Sequence, residues 1–114
     1  MHELSLAREI LDICHRETTG KKIKQLNLRI GELSSVSPES LLFYLDNISL
    51  KSCLEGAIIN YKIIEASLLC HNCAVYFKTD DWICPYCGKT ITEYGIGREL
   101  EIESIELIDE TDNN

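Results

Sequence analysis

Four cysteines in the second half of the chain carry the clearest chemistry. Cys70-His71-Asn72-Cys73 is followed, after ten residues, by Cys84-Pro85-Tyr86-Cys87-Gly88. Two Cys-x-x-Cys pairs this close can place four sulfurs at the corners of a tetrahedron, the donor set and geometry of a closed structural zinc site. Each pair makes a tight turn that aims both sulfurs inward. Pro85 stiffens the second turn, and Gly88 supplies the φ > 0 that lets backbone N–H groups face the thiolates. Four thiolates on a divalent ion leave a net negative centre, and Lys78 and Lys89 stand near enough in sequence to soften it. The same cysteines also suit a rubredoxin-like iron site, which would colour the protein. A redox dithiol normally shows a single pair at a helix start after a strand, which this is not. Two disulfides would need an oxidising compartment. His71, inside the first pair, reads as a surface or structural residue before it reads as a ligand.

A second, sparser set opens the chain: Met1-His2-Glu3. With Met1 retained, its α-amine and the His2 amide nitrogen close a five-membered chelate ring, and the amide nitrogen and Nδ1 of His2 close a six-membered one. That puts three nitrogens nearly in one plane, with a fourth donor from the amide or carboxylate of Glu3. Square-planar nitrogen donors suit Ni(II) or Cu(II). The amine and imidazole titrate at roughly 8 and 6.5, so binding should respond to pH. The same three residues also read simply as the frayed first turn of a helix. No catalytic set emerges: the chain has three histidines, no nucleophile elbow, no phosphate loop and no carboxylate pair in distinct environments. A closed four-sulfur zinc lacks the open position that catalysis needs.

The chain of 114 residues suits one small domain and a metal-stapled module. Its formal net charge of −8 argues against a nucleic-acid partner, although zinc ribbons often serve one. The acidity is concentrated late, at Glu99, Glu101, Glu103, Glu106, Asp109, Glu110 and Asp112, and reads as a solvated strand face and tail. Nothing at the N-terminus resembles a secretory signal and no apolar run is long enough to span a membrane, so a cytoplasmic setting without a membrane partner is expected.

The elements that must position these residues follow from periodicity. Leu4, Ala7, Leu11 and Cys14, joined by Leu6, Ile10 and Ile13, give a first helix its apolar stripe, with Gly20 placed to stop it. His15 belongs on the surface; Cys14 and the loop residue Cys53 read as structural. Leu26, Leu28 and Ile30 alternate with polar neighbours from Lys24 to Leu33, a half-buried strand. Ser37-Pro38-Glu39 opens a second helix with an N-cap, an N1 proline and an acid at the dipole's positive end. Leu41, Leu42, Leu45 and Ile48 form its buried face. Strands are expected from Ala57 to Glu65 and from Arg98 to Leu107, with the zinc ribbon inserted between them. If those two pair, they form an antiparallel hairpin from which the ribbon projects. Inside the ribbon, Val75-Tyr76-Phe77 and Trp82-Ile83 flank Thr79-Asp80-Asp81 like a hairpin. The fold class expected is α/β (α+β): a small two-layer domain of two helices on a three-stranded sheet, residues 1–67 and 92–114, with a zinc-ribbon module at 68–91.

Taken in order, Met1-His2-Glu3-Leu4-Ser5, Gly31-Glu32-Leu33-Ser34 with Ser37-Pro38-Glu39, the Cys70/Cys73/Cys84/Cys87-Gly88 ribbon, and Arg98-Glu99-Leu100 with Ile105-Glu106-Leu107 resemble the HypA/HybF family of hydrogenase maturation nickel metallochaperones. The resemblance covers nearly the whole chain. It implies a nickel-binding domain whose Met1, His2 and Glu3 hold Ni(II), with His2 essential, and a zinc domain held by Cys70, Cys73, Cys84 and Cys87. It also implies a GTPase partner of the HypB type and a [NiFe]-hydrogenase large-subunit precursor, or in some cases urease, as recipient. The competing reading is a zinc-ribbon module for protein–protein interaction with no second metal. Monomer and weak homodimer both remain open.

Overall fold

A computed structural model describes residues 2–78, 81–91 and 94–108. The chain runs α1 (Glu3–Thr18), β1 (Ile23–Gly31), α2 (Pro38–Ile48), β2 (Ile58–Ile64), β3 (Ser67–Cys70), β4 (Val75–Phe77), β5 (Tyr94–Ile96) and β6 (Leu100–Leu107). The strands form two three-stranded sheets, ordered β2-β1-β6 and β4-β3-β5.

The first sheet carries both helices on one face. Its centre is β1, whose Leu26, Leu28 and Ile30 are fully buried against Ala7, Ile10 and Cys14 of α1 and Leu41 and Leu45 of α2. Cys53 and Leu54 close this core from the loop before β2. Burial pushes the Cys14 thiol up to about 11, with the neighbouring Cys53 adding to it, so both act as small core hydrophobes. The opposite face is polar. Asn27 Oδ1 accepts from Gln25 Nε2 and Asn60 Nδ2, Asn27 Nδ2 donates to Ser104 Oγ, and Lys62 pairs with Glu103 at 2.8 Å.

Helix starts follow the sequence reading. Ser37 Oγ accepts the Ser40 N–H, and Pro38 opens α2. At the far end of α1 the left-handed step begins at Thr19 (φ 53°) and continues through Gly20 (φ 79°). Thr18 is buried and its hydroxyl donates to the Cys14 carbonyl at 2.7 Å.

Strand order departs from the expected hairpin. β2 and β6 are not neighbours, because β1 lies between them, parallel to β2 and antiparallel to β6. The helix between β1 and β2 carries the chain back so that the two strands point the same way, while β6 returns through the zinc module to the other side of β1. A bulge near Glu103 shifts the register, so Leu100 and Ile102 pair with Ile30 and Leu28, and Ile105 pairs with Leu26. That extra residue explains why apolar positions on β6 run 100, 102, 105 rather than in strict alternation.

The two strands that enter and leave the zinc module cross at the end of β1. There the chain turns at Gly31-Glu32-Leu33-Ser34, closed by the Ser34 N–H on the Gly31 carbonyl. The Leu33 N–H donates to the Gly97 carbonyl at 2.7 Å, and the Glu32 carboxylate accepts the Ala66 N–H. Gly97 has φ 119° and a Cβ there would stand 2.7 Å from Ala66 Cα, while a Cβ on Gly31 would stand 2.3 Å from the Gly97 oxygen. Only glycine permits this crossing. Lys78 is bound to Glu65 beside it.

Candidate metal centres

The second sheet exists to hold two cysteine turns. β3 and β4 form a hairpin closed by the first Cys-x-x-Cys itself, with Cys70 opposite Val75 and Leu68 opposite Phe77. The second turn is flanked by Ile83 and Thr90, with the Cys84 N–H on the Lys89 carbonyl at 2.9 Å and the Ile91 N–H on the Trp82 carbonyl at 2.7 Å. Val75–Phe77 therefore pairs back onto Leu68–Cys70, and Trp82-Ile83 forward onto Thr90-Ile91, rather than with each other. A turn of this kind already brings its flanking residues side by side, so each apolar run finds its partner across the nearer cysteine pair. Thr79 and Asp80 of the expected turn lie outside the described residues.

The two turns repeat one backbone device. The residue after the second cysteine is left-handed in both: Ala74 (φ 56°) and Gly88 (φ 77°). Its N–H donates to the carbonyl of the first cysteine, Ala74 to Cys70 at 2.8 Å and Gly88 to Cys84 at 2.9 Å. Gly88 meets the sequence expectation; Ala74 carries the same conformation with a Cβ, which nothing in its residue type announces.

The four sulfurs converge within 4.8 Å of one another, with Cys70 and Cys87 3.7 Å apart and Cys73 and Cys84 3.9 Å apart. A tetrahedral site with Zn–S bonds near 2.3 Å separates its sulfurs by about 3.8 Å, so the donors present fit a zinc ion. Among the described residues this is the one group of three or more His, Cys, Asp or Glu side chains that could hold a metal, and His71 is not in it. Thiolate charge is met by backbone: the Tyr86 N–H reaches Cys84 Sγ at 3.4 Å, and the Lys89 N–H is the main cause that holds Cys87 down to about 7. Hydrogen bonding to Cys87 is the main cause that pushes Cys73 up to about 12. Cys87 thus gives up its proton more readily than Cys73, from which metal must displace one. Lys78, expected near this charge, is committed to Glu65 instead.

Around the cysteines the module buries Leu68 and Ile91, with Val75, Phe77, Trp82 and Tyr94 half-covered. Trp82 meets Tyr94 edge-on at 4.9 Å, and the Arg98 guanidinium lies over the Tyr94 ring, 5.7 Å from its centroid. So small a core leaves ligation as the main source of order.

The opening residues sit at the other helix layer. Met1 lies outside the described residues. His2 is the N-cap of α1, exposed, and its carbonyl accepts the Leu6 N–H at 3.1 Å. Glu3 is half-buried, and its carboxylate accepts the Ser37 N–H at 3.5 Å, joining the start of α1 to the start of α2. The amides at a helix start have no acceptor within the helix, so engaging those of His2 and Glu3 breaks no helical bond. Ser37 stands three residues past the end of the Gly31–Ser34 turn, which grips the segments entering and leaving the module. One short segment therefore touches the N-terminus at one end and the zinc module at the other, a connection the sequence reading missed; the adjacency of Gly31-Glu32-Leu33-Ser34 and Ser37-Pro38-Glu39 was its only signal.

Fold and sites together define an α+β metal-binding protein, with a closed four-thiolate centre in an inserted module and an exposed His2 at the start of the first helix. Residues 1–107 match the family described as "Hydrogenase/urease nickel incorporation, metallochaperone, hypA". The chain is 32% identical over 110 residues to the hydrogenase maturation factor HypA of Geotalea daltonii, covering 95% of this chain and all of the relative. It is 34% identical over 119 aligned positions to that of Dehalococcoides mccartyi, covering both chains completely. The solution structure of the Ni metallochaperone HypA from Helicobacter pylori superimposes with a TM-score of 0.70 at 22% identity, covering 96% of this chain and 100% of that one. A second solution structure of a HypA protein gives 0.76 at 23% identity, covering 95% and 97%. The chain belongs to the HypA family of nickel-incorporation metallochaperones.

Proposed function

We infer that Met1, His2 and Glu3 form the nickel site and that the chain hands Ni(II) to a [NiFe]-hydrogenase large-subunit precursor, or to urease, with a HypB-type GTPase as partner in the cytoplasm. On this reading residues 1–67 and 92–114 form the nickel-carrying domain, and 68–91 the zinc ribbon held by Cys70, Cys73, Cys84 and Cys87. The observation that carries the nickel assignment is the placement of His2: exposed, at the N-cap of α1, beside amides that the helix leaves without acceptors. The α-amine of Met1, the amide and Nδ1 of His2, and the amide of Glu3 then supply four nitrogens. The Glu3 carboxylate, turned to the Ser37 N–H, fixes the helix start rather than the metal. Such a site is open to solvent on one side, which suits cargo that must leave. The zinc, by contrast, is closed and has no position for a substrate, so the protein carries metal without catalysing a reaction.

Titration of zinc-loaded, untagged protein with Ni(II) tests this. The wild-type chain binds one nickel; His2→Ala and a variant extended before Met1 each lose it while keeping zinc and fold. Nickel binding unchanged in both variants overturns the N-terminal site and leaves a zinc-ribbon interaction module. Binding should also weaken on acidification, because protons compete with the metal for nitrogen donors.

A further inference from the structure

The four zinc ligands are not equally protected. Cys70 and Cys84 are buried, Cys73 is half-buried and Cys87 is exposed. Around Cys87 every residue from Pro85 to Thr90 is exposed as well. A Cβ on Gly88 would meet nothing within 4 Å, so among the described residues no other element covers the second turn on that side. The first turn is held by the β3–β4 ladder, with Cys70 opposite Val75, whereas the second is flanked by a single bridge between Ile83 and Thr90. Across the centre, the Cys87 sulfur stands 3.7 Å from that of Cys70. A cleft of about 220 Å³, lined by Cys70, His71, Lys89 and Thr90, separates the two turns beside it and leaves them room to shift toward each other.

A thiolate on zinc keeps lone pairs and stays a nucleophile toward small oxidants, and access decides which sulfur reacts first. We propose that Cys87 is an oxidation site for hydrogen peroxide, and that Cys70 captures the product as a disulfide between the two turns. The Cys87 sulfur attacks one peroxide oxygen: an S–O bond forms, the O–O bond breaks and hydroxide leaves. The Cys70 thiolate then attacks the Cys87 sulfur: an S–S bond forms, the S–O bond breaks and a second hydroxide leaves. Two thiolates give up two electrons and the peroxide accepts both; none passes through zinc, which has no redox chemistry. Only Cys73 and Cys84 then remain as thiolates, too few to retain the ion. With a core as small as that around Leu68 and Ile91, the module loses its order with the metal. Thiol reductant and fresh zinc reverse the change. The inference rests on zinc at the four thiolates and is independent of the nickel site.

Two treatments of the full-length protein, its zinc content measured first, test the proposal. Brief exposure to sub-stoichiometric iodoacetamide, followed by peptide mapping, should find Cys87 alkylated at least tenfold more than Cys70, Cys73 or Cys84. Hydrogen peroxide should release one zinc per chain, leave a Cys70–Cys87 disulfide in the mapped peptides, and be reversed by dithiothreitol with Zn(II). Cys14→Ala combined with Cys53→Ala should change neither result, because those thiols lie in the other core. Equal alkylation of the four ligands overturns the proposal, as does zinc that stays bound through excess peroxide. So does a disulfide that spares Cys87 or joins it to a cysteine other than Cys70, and so does zinc release that disappears in the Cys14 and Cys53 variant. A chain that binds no zinc at the outset overturns the zinc assignment along with it, whereas each of the other results leaves that assignment standing.

Discussion

The zinc centre and the proposed nickel region are built on opposite plans. The zinc centre gathers ligands from two turns, repeats one hydrogen-bonded device in each, and seats Cys70 and Cys84 in a small core. The N-terminal region has one exposed imidazole, helix-start amides and a single carboxylate anchor. The first arrangement holds metal by making its release equivalent to unfolding. The second stakes none of the fold on its metal, and a carrier needs that independence. On the proposed reading permanence and transport are separated in space, with the 31–37 segment as a short physical link between them.

Removing one zinc ligand should produce the largest effect. Cys84→Ala is expected to forfeit most of the binding free energy of a structural zinc, about 10–16 kcal/mol in isolated modules, and to melt residues 67–96 while nickel stoichiometry at the N-terminus survives. Metal analysis with hydrogen exchange measures both at once; a variant that keeps zinc and ribbon protection would erase the distinction drawn above. Next comes the joint. Gly97→Ala puts a methyl group 2.7 Å from Ala66 Cα in a left-handed conformation, and about 2–4 kcal/mol of destabilisation is expected in urea unfolding. If the two regions are mechanically independent, this variant should keep both metals despite its lower midpoint.

A gain is expected in the first cysteine turn. Ala74→Gly relieves a left-handed alanine (φ 56°) and should stabilise the module by about 0.5–1 kcal/mol, seen as slower zinc loss to a chelator. The smallest effect belongs to acid. The Glu99 carboxyl is held below its ordinary 4.5 by its own N–H first and by that of Gly97. A depressed folded value gives stability that is present above 4.5 and lost as pH falls through the folded value. Glu99→Gln should therefore lower the neutral plateau slightly and flatten the acid limb of the stability curve, because the contribution lost in acid is then absent at every pH.

Both helices, the buried face of β1 and the zinc ligands could be read from the chain, because each is set by spacing along one segment. Strand neighbours could not, since alternation fixes which face is buried and says nothing about which strand lies alongside. The strand–helix–strand order of β1, α2 and β2 was a usable sign of parallel pairing that the hairpin expectation passed over. The bulge at Glu103 was visible only as a break in alternation. Ala74 was invisible, because its conformation is imposed by the turn and not by its residue type. His2 had the weakest local signal of all: one exposed side chain at a helix start has no pattern of its own, and the role proposed for it draws on the company of the other motifs. Glu32 was missed because a carboxylate gripping a single backbone N–H across the fold leaves no trace in the local sequence.

The crossing at Gly31 and Gly97 also has a meaning for how such a chain is assembled. Ala66 and Gly97 touch, so the points where the chain departs into the ribbon and comes back are adjacent. The ribbon is therefore a cassette: a short loop across that gap would close the helix-and-sheet domain without it, and a different insert could be spliced in without moving β1 or either helix. The same geometry lets the ribbon and the helix-and-sheet domain vary on separate schedules, with two glycines as the fixed splice site between them.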